Sequence, residues 1–264
     1  MHRTVTLSKH HGLGNDFLVW LALSPDSAPE PARLPDLAAA WCDRRHGVGA
    51  DGLVVGYLAD DVDRVMVLHN ADGSRAEMSG NGIRCLAQAE ARHRLLDTAD
   101  LIIATDSGKR ACTVLPGTEP TTVTVRVDMG AATCAPASDR VAAAVPPAVQ
   151  AAEVDMGNPH LVLLEGAEPL DLEALGRAWP DRNVEVVRSV AADVITMDVW
   201  ERGVGRTEAC GTGACAAAVA VAAWDLAGEK VTVRMPGGDL EIVLGDTVTL
   251  AGPATHIADL EVWA

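Results

Sequence analysis

At 264 residues, with 48% hydrophobic but only 3% aromatic residues, the chain has room for one large domain or two of medium size, and Val, Ala and Leu must fill its cores. A formal net charge of −16 argues against nucleic acid, which needs a basic surface. No apolar run approaches the ~20 residues of a membrane span, the opening residues lack the apolar core of a signal peptide, and the expected location is cytoplasmic.

The first half reads as many strands around one good helix. Thr4–Ser8 alternates and predicts an edge strand. Gly12-Leu13-Gly14-Asn15-Asp16 predicts a tight turn before an apolar strand, Phe17–Leu23. Ser24–Pro35, with its prolines, predicts a surface loop, and Leu37–Asp43 a short helix. Arg44–Gly52 is a Gly-rich turn before strands at Leu53–Leu58 and Val65–His69. Ile83–Leu96 is the first strong helix, with Arg and Glu on one face. Strands follow at Leu101–Thr105, Arg110–Leu115 and Thr121–Val127. The small-residue run Val141–Ala152, broken by Pro146 and Pro147, reads as a connection.

The second half repeats the order. Glu153–Met156 leads through Gly157-Asn158-Pro159-His160 to a strand at Leu161–Leu164, then a helix at Leu170–Ala178. Strands are predicted at Val184–Val187, Val194–Trp200, Val231–Met235, Leu240–Leu244 and Thr247–Leu250, with a Pro-Gly-Gly turn at 236–238. Gly213–Leu226 is the second strong helix. Three echoes fall in sequence: Gly14-Asn15 with Gly157-Asn158, His69-Asn70 with Trp200-Glu201, and Ser79-Gly80-Asn81-Gly82 with Cys210-Gly211-Thr212-Gly213. The last two share an offset of 131 residues, almost half the chain. An internal duplication accounts for this better than chance. The expected fold is therefore α+β, with two pseudo-symmetric domains flanking a cleft. The expected boundaries are residues 1–118 and 119–255, with a strand over 256–264 returning to the first domain.

The residues at the two helix starts suggest the chemistry. Each offers backbone N–H groups where an anion binds well, and one carries a thiol, Cys210, that the helix dipole is expected to ionise more easily. Two opposed groups flanking one carbon suit removal of a proton from one face and its return to the other. The N–H groups would stabilise charge developing on an α-carboxylate. Arg202 is a natural carboxylate fork. The other cysteines (Cys42, Cys85, Cys112, Cys134 and Cys215) have no CxxC spacing, and most of them read as small buried residues. Asp16, Asp51 and Asp72 read as turn formers. Neither HExxH nor a Cys/His zinc spacing occurs, so no metal is expected. Gly211–Ala216 fits a loose GxGxxA pattern but lacks the strand and acidic residue of a dinucleotide site, so no cofactor is expected either.

GLGNDF at 12–17, CDRRHGVGADG at 42–52, NADGS at 70–74, GNGIRC at 80–85, MGNPH at 156–160, ERGVGRTEACGTGACAAAVA at 201–220 and MPGGDLEI at 235–242 resemble the diaminopimelate epimerase family over nearly the whole chain. The resemblance implies barrel-like sheets, each wrapped round a central helix, and a homodimer. It implies cofactor-independent inversion at one α-carbon of LL-diaminopimelate, giving the meso form used for lysine and peptidoglycan. It assigns Cys210 as one catalytic base, with His160 and Glu201 tuning the pair. Gly80, Asn81, Gly211 and Thr212 would hold the reacting carboxylate. Asn15, Asn70, Asn158, Asn183, Glu201 and Arg202 would bind the rest of the substrate.

The chain departs from the family pattern at Ser79, where a second catalytic cysteine is expected. A hydroxyl donates a proton but is a poor base without an activator. Three readings stand: an introduced change that holds the pair inactive, a natural Ser79 acting through a neighbour, or altered chemistry such as a one-base elimination or a different amino acid. A non-catalytic amino-acid-binding relative is a further alternative. Gly52 stands where some members place a substrate-contacting Gln, and the 177–183 segment is shorter than the family's loop before its substrate-binding Asn.

Overall fold

The computed structural model describes residues 4–24, 27–147 and 149–263. Pro25 and Asp26 of the expected loop, Ala148 of the expected connection and Ala264 of the returning strand lie outside the described residues. The chain divides into two compact units, one comprising the residues through Val127 together with those from Gly252 onward, the other Asp128–Ala251.

In the first unit, β1 (Thr4–Gly12), β2 (Asn15–Leu21), β3 (Gly52–Tyr57), β4 (Arg64–Asn70), β6 (Ala99–Thr105), β7 (Gly108–Pro116) and β8 (Thr122–Asp128) join the later part of β17 (Thr249–Trp263) in a ring. β8 pairs with β17 and β17 with β1, so the sheet closes as an eight-stranded barrel. Neighbours are antiparallel except β2 with β3 and β4 with β6, which are parallel. β5 (Arg75–Ala76) adds a short return hairpin to β4. Thr4–Ser8 is thus not an edge strand: β1 pairs on both sides, with β17 and with β2, and closure removes the edge.

The helix α2 (Gly80–His93) fills this barrel, packing against β1, β2, β3, β4, β6 and β7. Its residues from Gly80 to Ala91 are all buried. Of the Arg/Glu face, Arg84 and Glu90 are buried with their charges satisfied internally, while Arg92 and Arg94 at the end of the helix are exposed. Arg64 Nε donates to Glu90 Oε2 at 2.7 Å. Arg84 donates to Gly80 O, Asn81 Oδ1 and Pro253 O. Outside the barrel, α1 (Leu34–Cys42) lays Leu34, Leu37, Ala38 and Trp41 over Leu18, Trp20, Leu53 and Val55.

The second unit repeats the connectivity. β9 (Thr133–Pro136), β10 (Gln150–Asp155), β11 (Pro159–Leu164), β12 (Asn183–Ala191), β13 (Val194–Glu201), β15 (Lys230–Met235), β16 (Gly238–Val243) and the first residues of β17 follow one another. The parallel pairs recur in the same places, β11 with β12 and β13 with β15. β14 (Gly205–Thr207) repeats the hairpin of β5. The central helix is α5 (Gly211–Ala223), whose alanines fit a narrow interior and favour helix. α4 (Leu172–Ala178) caps Leu161, Leu163, Val184 and Val186, as α1 does its own barrel.

The expected Val141–Ala152 connection contains regular structure. It contains the end of α3 (Asp139–Ala144) and the start of β10, because Val141 buries itself in the α4 cluster. The units divide inside β17 and at 127/128, rather than at 118/119 and 255/256, since β8 is hydrogen-bonded to β7 and belongs with it. No helix among the described residues is long and apolar enough to cross a membrane.

Candidate active site

Both central helices begin in the same way. Cys210 is the N-cap of α5, in extended backbone at φ −129° and ψ 119°, and its Sγ accepts from Gly213 N at 3.4 Å. Ser79 caps α2 at φ −141° and ψ 122°, and its Oγ accepts from Gly82 N at 3.0 Å. A side-chain acceptor at an N-cap satisfies one of the free donors of the first turn. The remaining N–H groups, and the dipole behind them, favour an anion.

The acid–base groups of the second unit gather round Cys210. Glu201, at the end of β13, receives a hydrogen bond from Thr207 Oγ1 at 2.6 Å and another from the Cys210 thiol. Thr212 Oγ1 lies 3.5 Å from Cys210 Sγ. Burial raises the Glu201 carboxyl above the usual range, and the charge of Glu185 adds to the effect. Burial, then the charges of Glu201 and Glu185, push the Cys210 thiol well above its ordinary value. This corrects the expectation of an easily ionised thiol. The helix start and the hydroxyl of Thr212 act in the expected direction, but a fully desolvated sulfur beside two carboxylates stays protonated.

His160 and Asn158 sit at the β10–β11 turn. Nδ1 of the buried imidazole is 2.7 Å from Glu185 Oε1, and Nε2 is 3.1 Å from Asn158 Oδ1. Asn183 Oδ1 accepts from Arg202 N at 2.8 Å, which fixes the backbone where β13 ends. The structure thus joins Asn158, His160 and Glu185, pairs Asn183 with Arg202, and links Glu201 and Thr212 to Cys210.

In the first unit, Asn81 Nδ2 donates to Asn15 Oδ1 at 3.1 Å, and Asn15 Nδ2 donates to Asp51 Oδ2 at 2.9 Å. Arg84 fixes the other side of this chain through Asn81 Oδ1 and Gly80 O. Asp16 and Asp51 are therefore more than turn formers. They are tied together by Arg44, and Lys9 Nζ lies 2.9 Å from Asp16. Burial alone would raise the Asp16 carboxyl, but bonds from Arg44 and Lys9 hold it below its ordinary value. Asp72 does serve its turn, accepting from Ser74 N and Oγ. Asn70 donates to Ser74 Oγ in the same turn. Gly52 has no room for a side chain: a Cβ would meet His69 O at 2.7 Å and the Phe17 ring at 3.2 Å.

Strand register shows where the two copies diverge. Phe17 pairs with Gly52 as His160 pairs with Asn183. Gly52 stands opposite Asn70, and Val184 opposite Trp200 brings Asn183 level with Glu201. The first-unit counterparts of His160, Glu185 and Glu201 are accordingly Phe17, Val54 and Asn70, none of which titrates near neutrality.

Comparison with known proteins agrees with the repeated strand order. The profile of the family described as diaminopimelate epimerase matches residues 7–135 and 152–257. The diaminopimelate epimerase of a Cyanothece strain is 38% identical, over 96% of this chain and 98% of its own. That of Bacteroides thetaiotaomicron is 38% identical, over 99% of both chains. The chain belongs to the diaminopimelate epimerase family. It is an isomerase by that membership. Among solved structures, a hydroxyproline epimerase from Agrobacterium vitis superposes with a TM-score of 0.72 at 14% identity, covering 99% of this chain and 93% of that one. A Bacillus anthracis phenazine biosynthesis protein of the PhzF family gives 0.71 at 14%, covering 98% and 99%. At these identities the likeness concerns the fold alone.

Two residues of this family member escaped sequence reasoning. Glu185 was hidden in an apolar strand, although a carboxylate flanked by Val184 and Val186 is itself a signal. Asp51 was hidden in a Gly-rich turn, where Asp is commonplace.

Proposed function

We propose that this chain inverts the α-carbon of LL-diaminopimelate to the meso form without a cofactor, in the cytoplasm and as a homodimer. Cys210 carries the proton of one face and Ser79 that of the other. Gly211, Thr212, Gly80 and Asn81 hold the reacting carboxylate, and Asn15, Asn70, Asn158, Asn183 and Arg202 the rest of the substrate. The observation that carries this reading is the matched pair of N-caps, Cys210 and Ser79, each opening a buried helix.

The groups suit the chemistry. Loss of the α-proton places charge on the α-carboxylate, where first-turn N–H groups stabilise it. Cys210 rests as a thiol, and Glu201 accepts its hydrogen bond. A raised carboxyl makes Glu201 the stronger base for drawing off the thiol proton, and the thiolate then takes the α-hydrogen. Ser79 returns a proton from its hydroxyl, a slower donor than a thiol.

A second reading is favoured by one observation. The positions matching His160, Glu185 and Glu201 in the first unit are Phe17, Val54 and Asn70, so no base of that unit stands in the place of an activator for Ser79. On that reading one base works, and α-hydrogen exchange outruns inversion. The substrate assignment is tested by incubating the protein separately with LL-diaminopimelate, meso-diaminopimelate, proline, hydroxyproline, alanine and glutamate, followed by chiral separation. Interconversion of the two diaminopimelates is expected. Turnover of another amino acid at ten times the kcat/KM would overturn the assignment.

A further inference from the structure

Glu185 lies in the most buried part of β12, between Val184 and Val186, and is fully buried itself. A carboxylate there is costly, and an apolar residue of like volume is often at least as good for folding. Val54, its first-unit counterpart, is such a residue. The protein nevertheless arranges two elements around the charge. His160 Nδ1 on β11 meets Oε1 at 2.7 Å. On α5, Gly213 leaves the space that a side chain would take, since a Cβ there would stand 2.6 Å from the same oxygen. Oε2 has no hydrogen-bond partner among the described residues, so hydrogen bonding within the core does not account for this carboxylate.

We propose that Glu185 is a positioning residue: by accepting Nδ1–H it fixes the tautomer and tilt of His160 and leaves Nε2 an acceptor, which holds Asn158 at the substrate-binding turn through an N–H of its amide, the two ends of that amide being exchanged. A carboxylate behind a histidine performs this task wherever one ring nitrogen must be committed to leave the other in a defined role. Glu185 also keeps a negative charge near Cys210 and Glu201, in the direction that holds the thiol proton in place. The groups in this field are Glu201 on β13, His160 on β11 and Cys210 itself on α5. The inference rests on the reading of Cys210 as proton carrier.

The test uses the full chain with Glu185→Val, Glu185→Gln, His160→Gln and the Glu185→Val/His160→Gln double variant. If Glu185 acts through His160, Glu185→Val lowers kcat/KM for diaminopimelate at least tenfold in the parent but less than twofold in the His160→Gln background. Equal losses in both backgrounds, or no loss in the parent, would overturn the proposal. A second arm follows alkylation of Cys210 by iodoacetamide against pH, with the modified peptide identified by mass. Glu185→Gln keeps an acceptor for His160 but removes the charge, so the alkylation midpoint is expected to fall by about one pH unit. An unchanged midpoint would contradict a role for the charge. This arm needs no substrate and no loss of packing. A parent that is inert toward diaminopimelate but shows the shift would refute the substrate assignment and leave Glu185 beside Cys210 in its role.

Discussion

The pair Ser79 and Cys210 shows how one atom divides two otherwise matched helix starts. Backbone, cap hydrogen bond and first turn agree, and the surroundings differ: Cys210 has Glu201, Thr212, His160 and Glu185 about it, while the matching first-unit positions hold Asn70, Phe17 and Val54. If the hydroxyl limits inversion, Ser79→Cys should raise its rate at least tenfold, about 1.4 kcal/mol in the barrier. A chiral assay of initial rates checks this, and an unchanged rate would remove Ser79 as the bottleneck. Much of this constellation was legible in the sequence, because the Gly-rich motifs flank their polar residues closely: Asn15, Asn81, Asn158, Glu201 and Cys210 stand in short, distinctive runs. The protonation of Cys210 was not legible. It depends on how completely the sulfur is buried and on Glu185, which is 25 residues from Cys210 along the chain and reaches it only through strand pairing.

Among the elements, those with strong local pattern were foreseen and those held by tertiary pairing were not. The strands Val231–Met235 and Arg110–Leu115 alternate and turn at Gly or Pro. By contrast β9 has four exposed residues and exists because β10 binds it, and α3 is anchored by Val141. Both strong helices begin slightly earlier than periodicity suggests, since glycines that weaken a helix interior are tolerated in a first turn whose cap is supplied by a side chain. A cap away from the site offers a check on such local energetics. Asp171 Oδ1 accepts from Glu173 N and Ala174 N at the start of α4. Asp171→Ala should cost about 1 kcal/mol of stability, read by chemical denaturation, with kcat/KM unchanged. A fall in kcat/KM would mean that α4 serves the site as well as the core.

For the whole molecule, duplication explains why both units wrap the same order of strands around a central helix, and why their acid–base equipment could diverge without loss of either frame. The polar interior of the first unit's barrel carries a pH dependence. Burial lowers His10 to about 4 from 6.5, despite its bond to Gln88. The unfolded chain takes up that proton more readily, so the contribution is complete above pH 6.5 and is lost as the pH falls toward 4. The loss amounts to roughly 3 kcal/mol from this group. Denaturation midpoints followed from pH 7 to 4 should show a shallower fall in His10→Gln than in the parent, and equal slopes would contradict the assignment. Movement of an α-proton through Cys210 is tested by proton NMR of LL-diaminopimelate in deuterated water, with the meso isomer quantified in the same samples. The parent chain should lose the α-hydrogen signal at a rate equal to or faster than inversion, and Cys210→Ala should lose none. Exchange that persists undiminished in Cys210→Ala, or a parent that binds the substrate and exchanges nothing, would contradict proton transfer through Cys210.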